Sequence, residues 1–387
     1  MRQRDDLSFP MHEYARRMQA LRERMAERGL DAVLITTPEN ICYLTGFESQ
    51  GHFSFCALIV PLEGEPIMVP RRLEDSGVQA RTWVSISCPY EEVEDPIQKV
   101  RDTLRLYDLS DNRIGFEKDC WFFTAVQQER LFALSHETSF VDCAGIVEAG
   151  RLIKSDLEIE MIRSAARVAE AGMQAGIEAV QEGATENDVA ADIHFAMFKA
   201  GGEWPAISPF VATGHRGSIG HQTWAGDIIK KNECVFLEVG GCLKRYHAAM
   251  MRTCFVGQPD QQIIDAIKTV QEAVDASIAM IKPGIRLGEV DAVSRKIIAR
   301  AAPNFGGMQV TRSAYSIGIA FAPDWGEGHI MSIRHRDPRV LQPNMTFHNI
   351  PWVQIPGKGG IGLSETIRVT EDGCEVITQL PRQLYIK

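Results

Sequence analysis

The sequence predicts a mixed α/β protein, α+β in its second part, built as two domains over residues 1–150 and 151–387. Three observations predict this. A chain of 387 residues is long for one hydrophobic core. Short apolar runs alternate with helical periods through the first 150 residues, and a segment near residue 180 is echoed near residue 280.

In chain order, Met11 to Gly29 carries Tyr14, Met18, Leu21 and Met25 at helical spacing among charged residues, with Gly29 as its stop. Short buried strands follow at Asp31-Ala-Val-Leu-Ile, Cys56-Ala-Leu-Ile-Val-Pro61, Pro66-Ile-Met-Val-Pro70 and Arg113-Ile-Gly-Phe116. Ser155 with Glu158 three residues later is a capping-box start for a long helix through about Val180, which opens the second domain. The echo aligns Val180-Gln-Glu-Gly183 with Met280-Ile-Lys-Pro-Gly284, and Val189 with Val290. Each copy sits between two helices and precedes a Gly-punctuated, strand-rich stretch. This predicts a pseudo-two-fold domain whose strands line a central cleft.

Composition narrows the function. A formal net charge of −10 lacks the basic footprint that phosphate backbones require, so nucleic acid is not expected as a partner, whereas a small cationic molecule is compatible. No run of about 18 apolar residues predicts a membrane span, and Met1 to Pro10 has no apolar signal core, so a cytoplasmic location is expected. Nine cysteines, an odd number with no CxxC pair, read as reduced structural thiols.

The most informative run is Val235-Phe-Leu-Glu238-Val-Gly240-Gly241, continuing to Tyr246-His247 and Arg252-Thr253. It reads as a buried strand delivering Glu238 at its end, a Gly-Gly turn, and a returning strand. An acid placed after three apolar residues belongs at an edge or in a site, because burying it unpaired is costly.

This run resembles the core motif of the creatinase and pita-bread (Xaa-Pro peptidase-like) family, and the resemblance implies an N-terminal creatinase-like domain followed by a pita-bread catalytic domain. The first domain shares Tyr43-Leu-Thr-Gly46-Phe47 with that fold, although Glu48 to Phe55 and Pro70-Arg71-Arg72-Leu73 depart from it. In the family's metallopeptidases five residues hold two metal ions. The corresponding positions here are Glu238, Ala249, Tyr315 in Ala314-Tyr-Ser-Ile-Gly318, Ile350 in Met345-Thr-Phe-His-Asn-Ile-Pro351, and Ser364 in Leu363-Ser-Glu365-Thr366. Carboxylate-bridged hard cations need nearly the whole set, so neither metal nor other cofactor is expected. The sequence is most similar to the ectoine hydrolase branch, a metal-free reading shared with creatinase.

The resemblance implies hydrolysis of a C–N bond in a small polar amidine, guanidine or amide by a homodimer. It assigns His221, in Ser218-Ile-Gly-His221, as the proton shuttle. The expected roles are Glu238 as nucleophile or base for water and Glu365 as holder of the substrate cation, with His247, Tyr315, Asp324, Trp325, Glu327 and His329 as substrate contacts. Arg71 and Arg72 are candidate clamps for a substrate carboxylate. Plainer readings stand beside these. Glu238 and Glu365 fit strand-end surface carboxylates, His247 fits a packed core histidine, His348 on its apolar strand fits a structural one, Arg71-Arg72 fits a solvated basic pair, and Arg252 fits an ion pair that fixes the hairpin. Rival functions are an Xaa-Pro metallopeptidase, a lyase acting on a sulfonium or betaine-like osmolyte, and a non-catalytic binding module.

Overall fold

The computed structural model describes residues 2–307, 309 and 311–387. The chain divides into two compact units, Met1–Arg151 and Leu152–Lys387.

In the first unit helix α1 (Met11–Glu27) buries Tyr14, Met18, Leu21 and Met25, the stripe its periodicity predicts. Strand β1 (Ala32–Ile35), helix α2 (Pro38–Thr45), strands β2 (Ala57–Pro61) and β3 (Ile67–Val69), helix α3 (Arg72–Arg81) and strand β4 (Ile86–Ser87) follow. Helix α4 (Pro96–Leu106), strand β5 (Arg113–Phe116), helix α5 (Ala125–Leu134), strand β6 (Ser139–Asp142) and the short helix α6 (Glu148–Arg151) complete the unit. The six strands form one mixed sheet in the order β4-β3-β2-β1-β5-β6. Its central strands are apolar on both faces, as layers covered on two sides must be.

The second unit opens on helix α7 (Asp156–Ala179), whose Ser155 and Glu158 close the capping box. Helix α8 (Glu186–Lys199), strands β7 (Phe210–Thr213), β8 (Cys234–Leu243) and β9 (Tyr246–Phe255), and helices α9 (Gln261–Met280) and α10 (Leu287–Phe305) come next. Strands β10 (Ala314–Ser316), β11 (Ser332–Ile333), β12 (Thr346–Asn349), β13 (Trp352–Ile355), β14 (Gly359–Gly362), β15 (Glu365–Val369), β16 (Cys374–Val376) and β17 (Leu384–Ile386) finish the chain. They make a four-stranded sheet β17-β9-β8-β7, a five-stranded sheet β11-β10-β12-β15-β16, and the hairpin β13-β14.

The internal echo is structural. Gly183 and Gly284 both adopt positive φ, +87° and +85°. Gly183 N–H donates to Ile229 O and Gly284 N–H to Leu341 O, each at 2.9 Å. In return Ile229 N–H donates to Ala184 O and Leu341 N–H to Ile285 O. The same turn therefore ties the start of the second helix of each pair, α8 and α10, to an isolated bridge at Ile228 and Val340 in both halves.

The hairpin differs from the sequence reading. Gly240-Gly241 is not a turn; β8 runs on to Leu243, and the reversal falls at Lys244 and Arg245, whose φ values of 50° and 64° are those of a tight two-residue hairpin. Glu238 thus lies in mid-strand, opposite Phe210 of β7 and Met251 of β9. The glycines are needed for close approach. A Cβ on Gly240 would come 2.5 Å from the Trp325 ring, and one on Gly241 would come 2.2 Å from Ala165 O and 2.5 Å from Ala169 N of α7. Because that second neighbour is helix backbone, it cannot swing aside. Gly241→Ala is therefore expected to cost at least about 2 kcal/mol by overpacking, read as a lowered midpoint in denaturant unfolding, with an unchanged midpoint counting against the close packing.

Candidate active site

Strand alternation places Phe236, Glu238 and Gly240 on one face of β8, and Phe210, Ala249 and Met251 meet them from the neighbouring strands. Tyr315, Ile317, Trp325, Ile350 and Trp352 close the other side, giving one apolar cluster around the carboxyl group. Phe210, Phe236, Glu238, Met251, Tyr315, Ile350 and Trp352 each retain 6–8% exposure, whereas Leu237 and Val239 on the opposite face of β8 retain none. That pattern marks the wall of a narrow recess. Phe210 meets Trp325 edge to face with centroids 5.5 Å apart, and Phe236 meets Trp352 in the same way at 6.2 Å.

Glu238 forms no ion pair with lysine or arginine among the described residues. Burial, followed by the negative charge of Asp324, pushes its carboxyl up to about 8. Beside it runs a buried chain of neutral donors and acceptors. Trp325 Nε1–H donates to Tyr315 Oη at 2.7 Å; Tyr315 O–H donates to His348 Nδ1 at 2.7 Å; His348 Nε2–H donates to Ser364 Oγ, 2.6 Å away. Met251 N–H also donates to Ser364 Oγ at 2.6 Å. Nδ1 of His348 lies 4.0 Å from Glu238 Oε1. Burial, with Arg312 and Arg252 nearby, drives the imidazole down to about 3, so the ring is neutral and its unprotonated nitrogen accepts the hydrogen bond from the tyrosine. Tyr315 is pushed well above the usual phenol range by burial and by Glu238.

The other predicted residues are distributed unevenly. His221 is exposed, at a φ of 60°, on the loop after β7, its ring centroid 5.8 Å from that of Phe210, so it stands at the margin of the recess. Asp324 is exposed, accepts from Gly326 N–H at 2.9 Å, and acts on Glu238 through its charge. Trp325 and Tyr315 form the wall. His329 is exposed on the turn after Glu327.

Three expectations need correction, at Glu365, His247 and Glu327. Glu365 is fully buried, with Arg252 Nη2 2.8 Å from Oε1, Arg382 Nη1 3.6 Å from the same oxygen, and Thr378 O–H donating to Oε2. Its strand neighbours Ser364 and Thr366 turn the other way, to the backbone of Met251 and Ala249, so Glu365 points away from the recess and already neutralises a guanidinium. His247 is fully buried, accepts from Ala206 N–H at Nε2 (3.1 Å) and donates from Nδ1 to Arg245 O (2.9 Å). Burial and Arg245 hold it well below the usual range, as a neutral packing group. Glu327 is buried against Lys154 Nζ at 2.7 Å. Arg71 and Arg72 are engaged within the first unit, Arg71 with Glu92 and Arg72 with Glu91, each 2.7 Å from Nε.

Phe210, Phe236, Trp352 and the active placement of His348 were not read from the sequence. Period-two spacing was the available signal, since Phe236 lies two residues before Glu238 and His348 two before Ile350.

The five residues that the resemblance sets at metal-holding positions lie near one another. Ala249, Tyr315 and Ile350 share the recess with Glu238, and Ser364 is joined to Tyr315 through His348. They supply one carboxyl, a phenol and a hydroxyl, and no group of three or more His, Cys, Asp or Glu is placed to hold a metal among the described residues. This donor set does not fit a pair of bridged hard cations.

Residues 160–371 match the metallopeptidase family M24 and residues 17–153 the creatinase/prolidase N-terminal domain. The chain belongs to metallopeptidase family M24. Ectoine hydrolase of Halomonas elongata is 32% identical, covering 98% of this chain and 99% of that protein. A putative dipeptidase of Bacillus subtilis is 29% identical over 96% and 99%. Among solved structures, the Xaa-Pro dipeptidase of Bacillus anthracis superposes with a TM-score of 0.81 at 25% identity, covering 97% of this chain and all of that one. A Pyrococcus horikoshii dipeptidase gives 0.82 at 23%, covering 96% and all. The M24 fold, with its creatinase-like first domain, is the architecture described above.

The pairing of Arg252 and Glu365 yields a stability test. Glu365→Leu leaves a buried guanidinium uncompensated and is expected to cost about 3 kcal/mol or more, measured by urea unfolding, while the folded fraction keeps its kcat. Loss of kcat with unchanged stability would return Glu365 to the chemistry.

Proposed function

We propose that this M24 hydrolase works without metal and opens a C–N bond of a small cationic amidine, ectoine or a close relative. The observation that carries this reading is a single buried carboxyl, Glu238, set among aromatic rings where relatives of the peptidase type need five metal-holding residues. The similarity to ectoine hydrolase over nearly the full length of both chains supports it. The similarity to dipeptidases supports the alternative of a metal-dependent peptidase, against which the donor set counts.

An amidinium carbon lies between two nitrogens and is already electron-poor, so it needs general acid–base help rather than a Lewis acid. Glu238 either attacks that carbon or takes a proton from the water that does. The tetrahedral adduct collapses by breaking one C–N bond, and the departing nitrogen takes a proton from His221 at the margin of the recess. Where Glu238 itself has attacked, a water then breaks the Glu238–carbon bond and frees the carboxylate; by either route water's oxygen ends on carbon as an amide carbonyl, and the amine set free stays on the opened chain of a cyclic substrate. The neutral Tyr315–His348–Ser364 chain holds the wall without adding charge.

Glu238 must be ionised for either role. In the empty recess it is protonated below about 8, so kcat/KM is expected to rise about tenfold per pH unit below that value and then level off. The inflection in kcat should lie lower, because a bound cation favours the carboxylate. A rate falling through the same range would make Glu238 the proton donor instead.

Glu238→Gln is expected to abolish turnover without harming the fold. A carboxyl whose folded pKa is raised from 4.5 to about 8 costs stability progressively as pH climbs between those values. The neutral amide escapes that cost, so the variant should gain in thermal midpoint over the parent across this window; a midpoint difference independent of pH would show that the group is not strained. Elemental analysis of protein purified without chelator, with an ectoine ring-opening assay in the presence and absence of EDTA, decides between the two chemistries. Metal-poor protein with EDTA-resistant ring opening is expected, and bound metal with EDTA-sensitive peptide cleavage would replace this reading by the peptidase one.

A further inference from the structure

The walls of the Glu238 recess specify the kind of cation it accepts, an inference that rests on the recess being the substrate site. A small ammonium ion has three donors and a strongly held hydration shell, and it enters a protein interior only where several acceptors replace that water. This recess has few to offer. Tyr315 Oη, His348 Nδ1 and Ser364 Oγ are already used as acceptors within their own chain. Arg312 lies over the Tyr315 ring, its guanidinium carbon 4.5 Å from the centroid, and so takes up one of that ring's faces.

What remains are the two edge-to-face pairs, Phe210 with Trp325 and Phe236 with Trp352, the Met251 thioether, and Glu238. Aromatic faces attract cations, and the attraction strengthens when water is excluded. They compensate best for a cation that loses little hydration on entry, whose charge is spread over several atoms or covered by alkyl groups. Trp352 adds a second feature. Its indole N–H is buried and has no hydrogen-bond partner among the described residues, unlike that of Trp325, so an acceptor oxygen on the ligand would satisfy an otherwise orphaned donor.

We propose that the recess is an aromatic box for a weakly hydrated organic cation, recognised by the partly exposed rings of Phe210, Phe236 and Trp352 around Glu238, with Trp325 packed behind Phe210 and an acceptor group of the same molecule meeting Trp352 Nε1. Tetraalkylammonium ions are therefore ligands of this site although they carry no bond for it to break.

The test titrates the full-length protein with tetramethylammonium, methylammonium and glycine betaine chlorides at matched ionic strength, following calorimetry and tryptophan fluorescence. Tetramethylammonium is expected to bind at least tenfold more tightly than methylammonium, and glycine betaine more tightly than tetramethylammonium. Phe236→Leu should remove most of the first preference and Trp352→Phe the second, each at an unchanged thermal midpoint; a variant that unfolds is replaced by Phe210→Leu, which tests the opposite wall. Equal binding of the two ammonium ions, or tighter methylammonium, overturns the box. Betaine no tighter than tetramethylammonium overturns the Trp352 assignment. Because binding is read without turnover, a tight onium site in a protein that never opens an amidine keeps the box and discards the reaction. Ring opening without any onium preference does the reverse.

Discussion

An ionisable group in a dry, apolar setting must be neutralised by a partner, by a metal or by its own proton, and the second unit has to meet that constraint at Glu238. Guanidinium groups are available nearby but are committed elsewhere. Arg252 is held by Glu365 and by carbonyl oxygens of Met251 and Ser364, and Arg312 covers Tyr315. The remaining neighbours are rings, a thioether and a neutral imidazole. The carboxyl therefore keeps its proton until the pH is high or a cation arrives. On the function proposed above, affinity for a cation and competence for catalysis are coupled at this one residue, because the ligand that enters is also what releases the carboxylate.

Backbone geometry makes this arrangement possible. Glu238 is fixed in mid-strand by the long β8–β9 ladder, whose ten-rung register leaves no freedom to slip without turning the carboxyl into the opposite core. Gly240 lets the Trp325 ring lie directly on the strand, and Gly241 lets α7 pack against its other face. Two adjacent glycines thus serve the two faces of one strand. Trp325 is then held in its orientation by Tyr315, and Tyr315 by His348, so the aromatic wall and the polar chain stabilise each other.

Much of the architecture was legible because periodicity and caps are local. The Ser155–Glu158 box, the stripe of α1 and the paired Gly183 and Gly284 turns each depend on a few neighbouring residues. Glu238 was legible from an acid placed among apolar residues. The hairpin turn was not, because Gly-Gly is a strong turn signal and the true reason for these glycines, a helix backbone and an indole ring, lies far away in sequence. Glu365 was misassigned for a related reason. It sits in the motif that supplies a metal-holding residue, yet strand alternation points it to the other face, where Arg252 waits. His247 follows the same logic, since a histidine beside a site in sequence can be satisfied wholly by backbone atoms behind it.

The replacements at the family's metal positions are not independent losses. Removing carboxylates from a bridged metal site while keeping others would leave several acids crowded in one dry space, each raising the pKa of the next. Here Ala249 and Ile350 fill volume, whereas Tyr315 and Ser364 take up the two nitrogens of His348, a ring that would otherwise be an unsatisfied buried group. Among the described residues Glu238 is the acid left in the recess, and the charge of the exposed Asp324 is felt there. A half-dismantled metal site would be unstable and would invite adventitious cations. Neutral hydrogen bonds and aromatic surface around a single carboxyl instead make a recess that, on the function proposed above, takes its positive charge from the ligand itself.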